Sequence, residues 1–271
     1  MKELELSPSE APLIMLSVNI DEDPHFRRIK VDDDKCTKCQ LCIPSCPSQA
    51  FNEINIFSYE ADLCFGCSNC LEYCPYEALD FENWSAYDAT ELNRLFTLGA
   101  DAFEIHLSNN LEALSDFYQQ LNLERILLES FSIGSERMTE AELAKAALFI
   151  IEMVSKREDF PKRSIIIQCD GIPQSGARIA DADKDLKSIQ NAALVIKTLN
   201  QAQLKYPNVF VQIAGGINDK SLEKARALGV EIDGIAIGSW LRKRILDLDL
   251  NAAKQLSAEI LKKSRSFSVQ N

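Results

Sequence analysis

Eight of the nine cysteines fall in two stretches, CTKCQLCIPSCP at residues 36–47 and CFGCSNCLEYCP at residues 64–75, which share one spacing. In each stretch, two residues separate the first three cysteines, three residues precede the fourth, and a proline follows it. Two-residue gaps let one tight loop wrap three thiolates around an iron-sulfur cubane, and the fourth cysteine of such a run ligates the other cluster. The repeat therefore predicts a compact module built around two 4Fe-4S clusters.

The crossing of the fourth cysteines gives two predicted ligand sets. The first set is Cys36, Cys39, Cys42 and Cys74, and the second is Cys64, Cys67, Cys70 and Cys46. Zinc is the alternative metal, but zinc knuckles use two CxxC pairs with a longer spacer instead of three tight steps and a Cys-Pro. The spacing favours iron-sulfur clusters, and residues 35–82 resemble bacterial two-cluster ferredoxins. Cys169, which stands alone at a predicted strand end, is expected to be a buried apolar residue.

The charge and hydropathy of the chain limit the classes of partner and the cellular location that the sequence predicts. The 271 residues carry a formal charge of -12 and contain no dense Lys/Arg tract, which argues against nucleic acid or an anionic membrane as the main partner. No segment approaches the roughly 20 apolar residues of a membrane span. Residues 1–12 lack the basic and apolar regions of a secretory signal. We therefore expect a cytoplasmic protein without a membrane span.

The chain divides into three zones with different sequence patterns. Residues 1–34 hold one apolar run, 13–18, and then an acidic turn-rich stretch, which indicates a strand and a long loop of an α/β domain. Residues 35–82 hold the cysteine module. Residues 84–271 alternate between helical and strand patterns, with strands predicted at 101–107, 125–131, 163–169, 208–214 and 232–238. The clearest helix begins at Thr139, where Thr139 and Glu142 form a capping-box pair.

The alternation of apolar strands and helices predicts a parallel sheet that is buried on both faces. With the strand at residues 13–18 there are six strand-helix units, and the cysteine module is inserted after the first. Eight such units close a TIM barrel. We therefore expect an α/β fold with a TIM-barrel-like parallel domain, either open or lacking two N-terminal units, and an inserted two-cluster ferredoxin-like α+β module.

Two late strands end in glycines that could hold a phosphate. The first ends at Gly215 and Gly216, and the second ends at Gly238 and Ser239 before a helix. In TIM barrels a phosphate often lies between the last two strand-end loops, where glycines let backbone N–H groups approach it. The pattern resembles the phosphate site of flavin-dependent barrels of the dihydroorotate dehydrogenase type and predicts FMN or another phosphate ligand. The alternative is that these glycines only end strands in tight turns.

Two further polar residues end predicted strands. Asp170 ends a strand in QCDGIPQSG, and His106 ends one in FEIH, so both are candidates for the functional C-terminal rim of a barrel. His106 is a candidate acid or base, although a lone histidine is usually a hydrogen-bonded structural group. The sequence contains no Ser-His-Asp set, HExxH motif or Walker loop. No catalytic residue is therefore assigned, and an enzyme is the less favoured interpretation.

Several stretches, together with the cysteine module, resemble one family. LIMLSVNIDEDPHFRR, GADAFEIH, CDGIPQSG, VQIAGGINDKSLEKARALG and IDGIAIGSWLRK are similar to the light-dependent period A family, over residues 12–244. Its members are iron-sulfur proteins that feed the redox state of the cell into a circadian clock. The resemblance implies that the eight cysteines carry the clusters and that the partners are clock-input or redox-chain proteins. Family members begin with two further strand-helix units, so the resemblance implies that the two units lacking from a barrel are N-terminal.

Three functions therefore remain open from the sequence. The first is a redox-sensing regulator that passes cellular redox state to a circadian clock. The second is an electron-transfer oxidoreductase, or a subunit of one, with a flavin or phosphate ligand in the barrel. In the third, the clusters only stabilise the fold, since metal binding contributes to folding free energy.

Overall fold

The computed structural model describes residues 13–20, 26–52, 57–64, 66–83, 88–107, 109–134, 138–171, 185–238, 241, 244 and 248–268. The described strands are β1 (Met15–Asn19), β2 (Arg27–Val31), β3 (Phe51–Asn52), β4 (Ser58–Tyr59), β5 (Leu79–Asn83), β6 (Ala102–His106), β7 (Leu128–Ile133), β8 (Ser164–Asp170), β9 (Val209–Ala214) and β10 (Gly234–Ile235). The described α-helices are α1 (Asn69–Tyr73), α2 (Ala89–Thr97), α3 (Leu111–Gln119), α4 (Glu140–Ser155), α5 (Leu186–Gln201), α6 (Ser221–Ala227) and α7 (Leu250–Ser268).

A six-stranded parallel sheet forms the larger part of the fold. Its strand order is β1-β6-β7-β8-β9-β10, so each strand lies beside the next sheet strand along the chain. All five neighbour pairs are parallel. The expected parallel sheet is confirmed, and β7 begins three residues later than the pattern predicted, at Leu128.

The sheet is open in the part of the chain that the structure describes. There, β1 pairs with β6 and β10 pairs with β9, and the two edge strands do not pair with each other. Of the two forms expected for the parallel domain, the structure thus shows the open sheet and not a closed TIM barrel. The physical reason is strand number, because the parallel barrel of this type needs eight tilted strands to bring its edges together.

Helix α4 shows how the sequence sets an element that covers the sheet. The Thr139 hydroxyl accepts from the Glu142 backbone, and the Glu142 carboxylate accepts from the Thr139 backbone, which confirms the predicted capping box. The helix then buries Leu143, Ile150 and Ile151. Helices α4 and α5 pack on β7, β8 and β9. None of the described helices combines the length and apolar character that a membrane crossing requires.

The two faces of the sheet differ in chemistry because successive strand residues point to opposite sides. The helix-covered face is apolar apart from Glu129 and includes Phe103, Ile105, Phe131, Ile133, Ile165, Ile167, Val211 and Ile213. The opposite face carries the alternate residues, which are mostly polar towards the carboxyl ends of the strands: Glu104, His106, Ser130, Ser132, Gln168, Asp170 and Gln212. A polar surface therefore runs across four neighbouring strands.

The cysteine module has its own sheets and its own small core. Strand β2 pairs antiparallel with β5, and β3 pairs antiparallel with β4. Buried Ile29, Cys42, Phe51 and Cys70 form the centre of the core. Residues before Lys35 thus contribute to the module's sheet, although the sequence indicated a loop up to Arg28.

Candidate functional site

One pocket gathers the first predicted ligand set. Cys36, Cys39, Cys42 and Cys74 all line it. The first three come from a single loop, whereas Cys74 directly follows α1 as its C-cap residue. The structure therefore brings the fourth cysteine of the second run to the first three cysteines of the first run.

The second set is also brought together. Cys70 lies on α1. Its strongest electrostatic interactions with other cysteines are with Cys67, Cys64 and Cys46, in that order. Cys67 in turn interacts with Cys46 and Cys64. Cys46 therefore belongs spatially with the second run, which mirrors the position of Cys74 in the first pocket.

Burial makes the charged thiolate form of these cysteines unfavourable unless positive charge lies nearby. Loss of solvation raises the pKa of Cys70 to about 12 and that of Cys42 to about 11, and repulsion from the neighbouring thiolates adds to both shifts. Four adjacent thiolates are therefore unfavourable unless a cation compensates them. Iron does so, because a coordinating thiol is deprotonated outright.

Hydrogen bonds reach three of the predicted ligand sulfurs. The Ile29 backbone donates to Cys64 Sγ at 3.5 Å, and the Ala78 backbone donates to Cys74 Sγ at 3.4 Å. Cys46 Sγ lies 3.5 Å from Ser48 Oγ. Such hydrogen bonds to sulfur are one of the factors that set cluster potentials.

Cys46 differs from the other shifted thiols of the module. Burial acts to raise its pKa, but the Ser48 hydroxyl and the backbone at Phe51 and Ala50 stabilise its thiolate, so the pKa is lowered overall. The site therefore contains at least one sulfur whose thiolate, the form that binds metal, is favoured.

The short loops reach their curvature through left-handed backbone. Lys38 and Gln40, which lie between the first three cysteines, have φ of 57° and 67°. Gly66 has φ of 64°, and a Cβ added there would lie 2.4 Å from the Arg27 carbonyl oxygen.

Within the described residues, no three His, Cys, Asp or Glu side chains converge closely enough to hold a single ion. A cubane spreads its four thiolates more widely, since each binds a different iron, so the donor set fits a cluster.

A second candidate site lies on the polar face of the large sheet. Gln168 is its centre: its amide donates to Glu104 Oε1 at 2.6 Å and to Ser132 Oγ at 3.2 Å, and its carbonyl accepts from Gln212 at 2.7 Å. Ser132 also donates to Asp170. These side chains form one hydrogen-bonded network across β6, β7, β8 and β9.

His106 lies between two carboxylates of this network. Its Nε2 is 3.1 Å from Glu104 Oε2, and its Nδ1 is 3.9 Å from Asp170 Oδ2. The ring is 7% exposed and packs edge-on against Phe26, with 5.0 Å between the ring centroids. Phe26 directly precedes β2, so the cysteine module contacts the network through this ring. Such a buried network can hold a proton, but it also stabilises and specifies a fold.

The glycines of the predicted phosphate site lie near the same rim. Gly215 and Gly216 follow β9 with φ of 79° and 74°. A Cβ at Gly215 would lie 3.0 Å from the Gly171 backbone nitrogen, so the close approach of the two strand ends by itself calls for glycine. Gly238 follows β10 in open space, and Ser239 lies outside the described residues. The phosphate site stays a prediction.

Sequence reasoning selected His106 and Asp170 but missed their partners. Glu104, Ser132, Gln168 and Gln212 are the missed residues. The signal was a polar residue at every second position of otherwise apolar segments, as in FEIH, SFS and IQCD.

Comparisons with known proteins place both parts of the chain. Residues 35–79 match the family model described as a 4Fe-4S dicluster domain, and residues 94–268 match the light dependent period A C-terminal domain. The chain is 30% identical over 255 residues to "Light dependent period A" of Synechococcus elongatus, which covers 90% of this chain and 67% of that protein. No solved structure matches the chain. The chain therefore belongs to the light dependent period A family, and its cysteine module is of the iron-sulfur type.

Proposed function

We propose that this protein is a redox-sensing regulator that binds two 4Fe-4S clusters and passes cellular redox state to a circadian clock. The observation that carries the proposal is the pocket in which Cys74 joins Cys36, Cys39 and Cys42. Two crossed sets of four thiols are the arrangement expected of a two-cluster module. The name of the Synechococcus relative links that protein to a light-dependent period, and we extend this role to the present chain.

The residues around the cysteines would adjust how readily the site takes up an electron. When bound, each cluster supplies one-electron redox chemistry at a potential set by charge, hydrogen bonds and exposure. Exposed acidic residues such as Asp33, Asp34 and Glu77 oppose added negative charge and lower the potential. The N–H groups of Ile29 and Ala78 act in the opposite direction, because they stabilise negative charge on sulfur.

The contact between module and sheet supports a regulator. Strand β2 donates to the Cys64 sulfur through Ile29, and the residue before β2, Phe26, packs on His106. A change at the cysteines would therefore reach the larger domain through one short strand. We expect clock-input or redox-chain proteins in the cytoplasm to read that change.

An anaerobic potentiometric titration followed by electron paramagnetic resonance tests this function. We expect reversible iron-sulfur signals with midpoint potentials within the span of the cell's ferredoxin and quinone couples. Potentials far outside every physiological couple would remove the basis for sensing.

The alternative function is an oxidoreductase with a flavin or phosphate ligand at the rim of the sheet. It is favoured by Gly215, which lies beside Gly171 at the end of β8, and by Gly216, which follows it with φ of 74°. Acid release of small molecules from anaerobically purified protein, followed by flavin fluorescence, tests it. Stoichiometric flavin would establish this alternative, and its absence would leave the regulator as the function of the site.

A further inference from the structure

Three large apolar side chains stand in solvent around the first cysteine pocket. Leu41, Tyr73 and Tyr76 line the pocket and are 49%, 56% and 48% exposed. We call these three residues the pocket collar. Other exposed leucines, such as Leu98 and Leu228, lie at helix ends in the larger domain. The collar is thus a group of exposed apolar side chains around one site.

The backbone fixes the collar relative to the cysteines. Leu41 precedes Cys42, and Tyr73 is the last residue of α1, directly before Cys74. Tyr76 follows two residues later, in a turn closed by the hydrogen bond from Ala78 to Cys74 Sγ. Cys39, in the same pocket, is itself exposed. A protein that covers the collar would therefore approach the predicted cluster closely.

Acidic residues flank the two tyrosines. Glu72 and Glu77 are exposed next to Tyr73 and Tyr76. Of the two nearby lysines, Lys35 is paired with Asp32 at 3.3 Å, and Lys38 lines the pocket and is exposed, so the exposed Asp33, Asp34, Glu72 and Glu77 outnumber the lysines. Since the whole chain carries a charge of -12, a second copy would be repelled from this surface. A partner with basic residues around an apolar centre would be attracted.

We propose that the pocket collar is the docking surface for a small basic electron-transfer protein, an inference that rests on the proposed function. In each encounter one electron leaves the reduced protein and is taken up by the oxidised one, and no proton or group is transferred. Weak electron-transfer complexes bury less than about 1,200 Å², which suits a small patch. Tyrosine is also enriched among residues that dominate binding energy.

The experiment uses the cluster-loaded full chain and two ferric c-type cytochromes, one basic and one acidic. Calorimetry measures the affinity of each complex, and stopped-flow absorbance measures the rate at which the reduced protein converts ferric to ferrous haem. We expect tighter binding and faster transfer with the basic cytochrome, and both should weaken as ionic strength rises. The double variant Tyr73→Ser/Tyr76→Ser should lose roughly tenfold or more in affinity.

Two matched variants separate docking from damage to the site. Leu228→Ser removes a comparably exposed apolar side chain far along the chain and should bind as the wild type does. Glu72→Gln/Glu77→Gln keeps the tyrosines and should weaken binding mainly at low ionic strength. Iron content and midpoint potential, measured for every variant, show whether the clusters remain intact.

The results distinguish this inference from the proposed function. Loaded collar variants that bind the basic cytochrome like the wild type, or equal binding of both cytochromes, would overturn the docking surface alone. A wild-type chain that holds no iron-sulfur cluster would overturn the proposed function itself.

Discussion

Cys74 occupies the position that most distinguishes a paired cluster module from two independent metal loops. It belongs to the second run in the sequence, but it lines the pocket of the first run. Cys46 is the reciprocal case, since it lies near Cys64, Cys67 and Cys70. Spacing indicated this exchange, and the convergence of side chains gives it a geometric basis.

Pairs of cysteine substitutions test the exchange. In Cys39→Ser/Cys74→Ser both lost ligands belong to one set, so we expect iron to fall from about eight atoms per chain to about four. In Cys39→Ser/Cys46→Ser the lost ligands belong to different sets, so nearly all iron should be lost. Iron and acid-labile sulfide assays on anaerobically purified protein measure both outcomes.

Cys169→Ala is the matched control, because Cys169 is buried in the main core away from either set. Its iron content should equal that of the wild type. Uncrossed ligand sets would give the reverse result, with more iron in Cys39→Ser/Cys46→Ser than in Cys39→Ser/Cys74→Ser.

Glu129 and Arg163 form a buried charge pair in the larger domain. Glu129 is fully buried, and burial raises its pKa, although the Tyr118 hydroxyl at 2.7 Å and Arg163 at 3.5 Å oppose the shift. Arg163 also donates to the Ile126 carbonyl. Removing one charge would leave the other in the core without compensation.

Arg163→Met should destabilise the fold by about 3–5 kcal/mol, because it leaves the Glu129 carboxylate buried and unpaired. A carboxyl whose folded pKa is raised favours folding below its unfolded pKa of about 4.3, and this contribution disappears as pH rises through the folded pKa. The loss should therefore be larger in mildly alkaline than in mildly acidic buffer. Thermal unfolding followed by circular dichroism measures it.

Arg163→Met/Glu129→Gln serves as the control, since glutamine still accepts from Tyr118 but carries no charge. It should be more stable than Arg163→Met alone and nearly insensitive to pH over the same range. Equal destabilisation of the two variants would show that the charge of Glu129 is not the cause.

At the scale of elements, β2 connects the two parts of the molecule. Its residues RRIKV include three positive charges, so the sequence did not indicate a strand. Pairing with β5 determines its conformation instead, and the Arg27 guanidinium packs over the Phe81 ring at 3.9 Å. Tertiary contacts of this kind outweigh local propensity.

Gly66→Ala should disturb β2 and the neighbouring site at Cys64. The added methyl group would lie 2.4 Å from the Arg27 carbonyl oxygen, and the φ of 64° is itself unfavourable for alanine. We expect lower iron content and a lower unfolding temperature. Gly229→Ala is the control, since its φ of 71° is similar but nothing lies within 4 Å.

The difference between these two variants measures the clash alone. Gly229→Ala should cost about 1–2 kcal/mol from backbone conformation and keep its iron. Iron content that is unchanged in Gly66→Ala would show that the approach of residue 66 to β2 is not needed for the site.

The larger domain was predictable where a periodic pattern was strong. The strands from β6 to β9 and the capped start of α4 are apolar and well bounded, so their existence followed from sequence. Whether the sheet closes could not be predicted from sequence, because closure depends on whether the two edge strands pair with each other. The network around Gln168 was also missed, since a polar residue in a strand does not reveal its cross-strand partners.

At the scale of the whole molecule, two bodies with different cores share one chain. The module is centred on Ile29, Phe51 and two cysteines, whereas the larger core lies between the parallel sheet and its helices. The β2 strand and the Phe26 contact with His106 join them. In the proposed function, this contact would let the iron-sulfur module influence the larger domain.

Hydrogen exchange on the oxidised and the dithionite-reduced protein, measured anaerobically by mass spectrometry, tests this central claim most directly. We expect different exchange in α1, in β2 and in β6 around His106, and no difference in the cluster-deficient Cys39→Ser/Cys46→Ser variant. Identical exchange of the two redox states throughout the wild-type chain would contradict it.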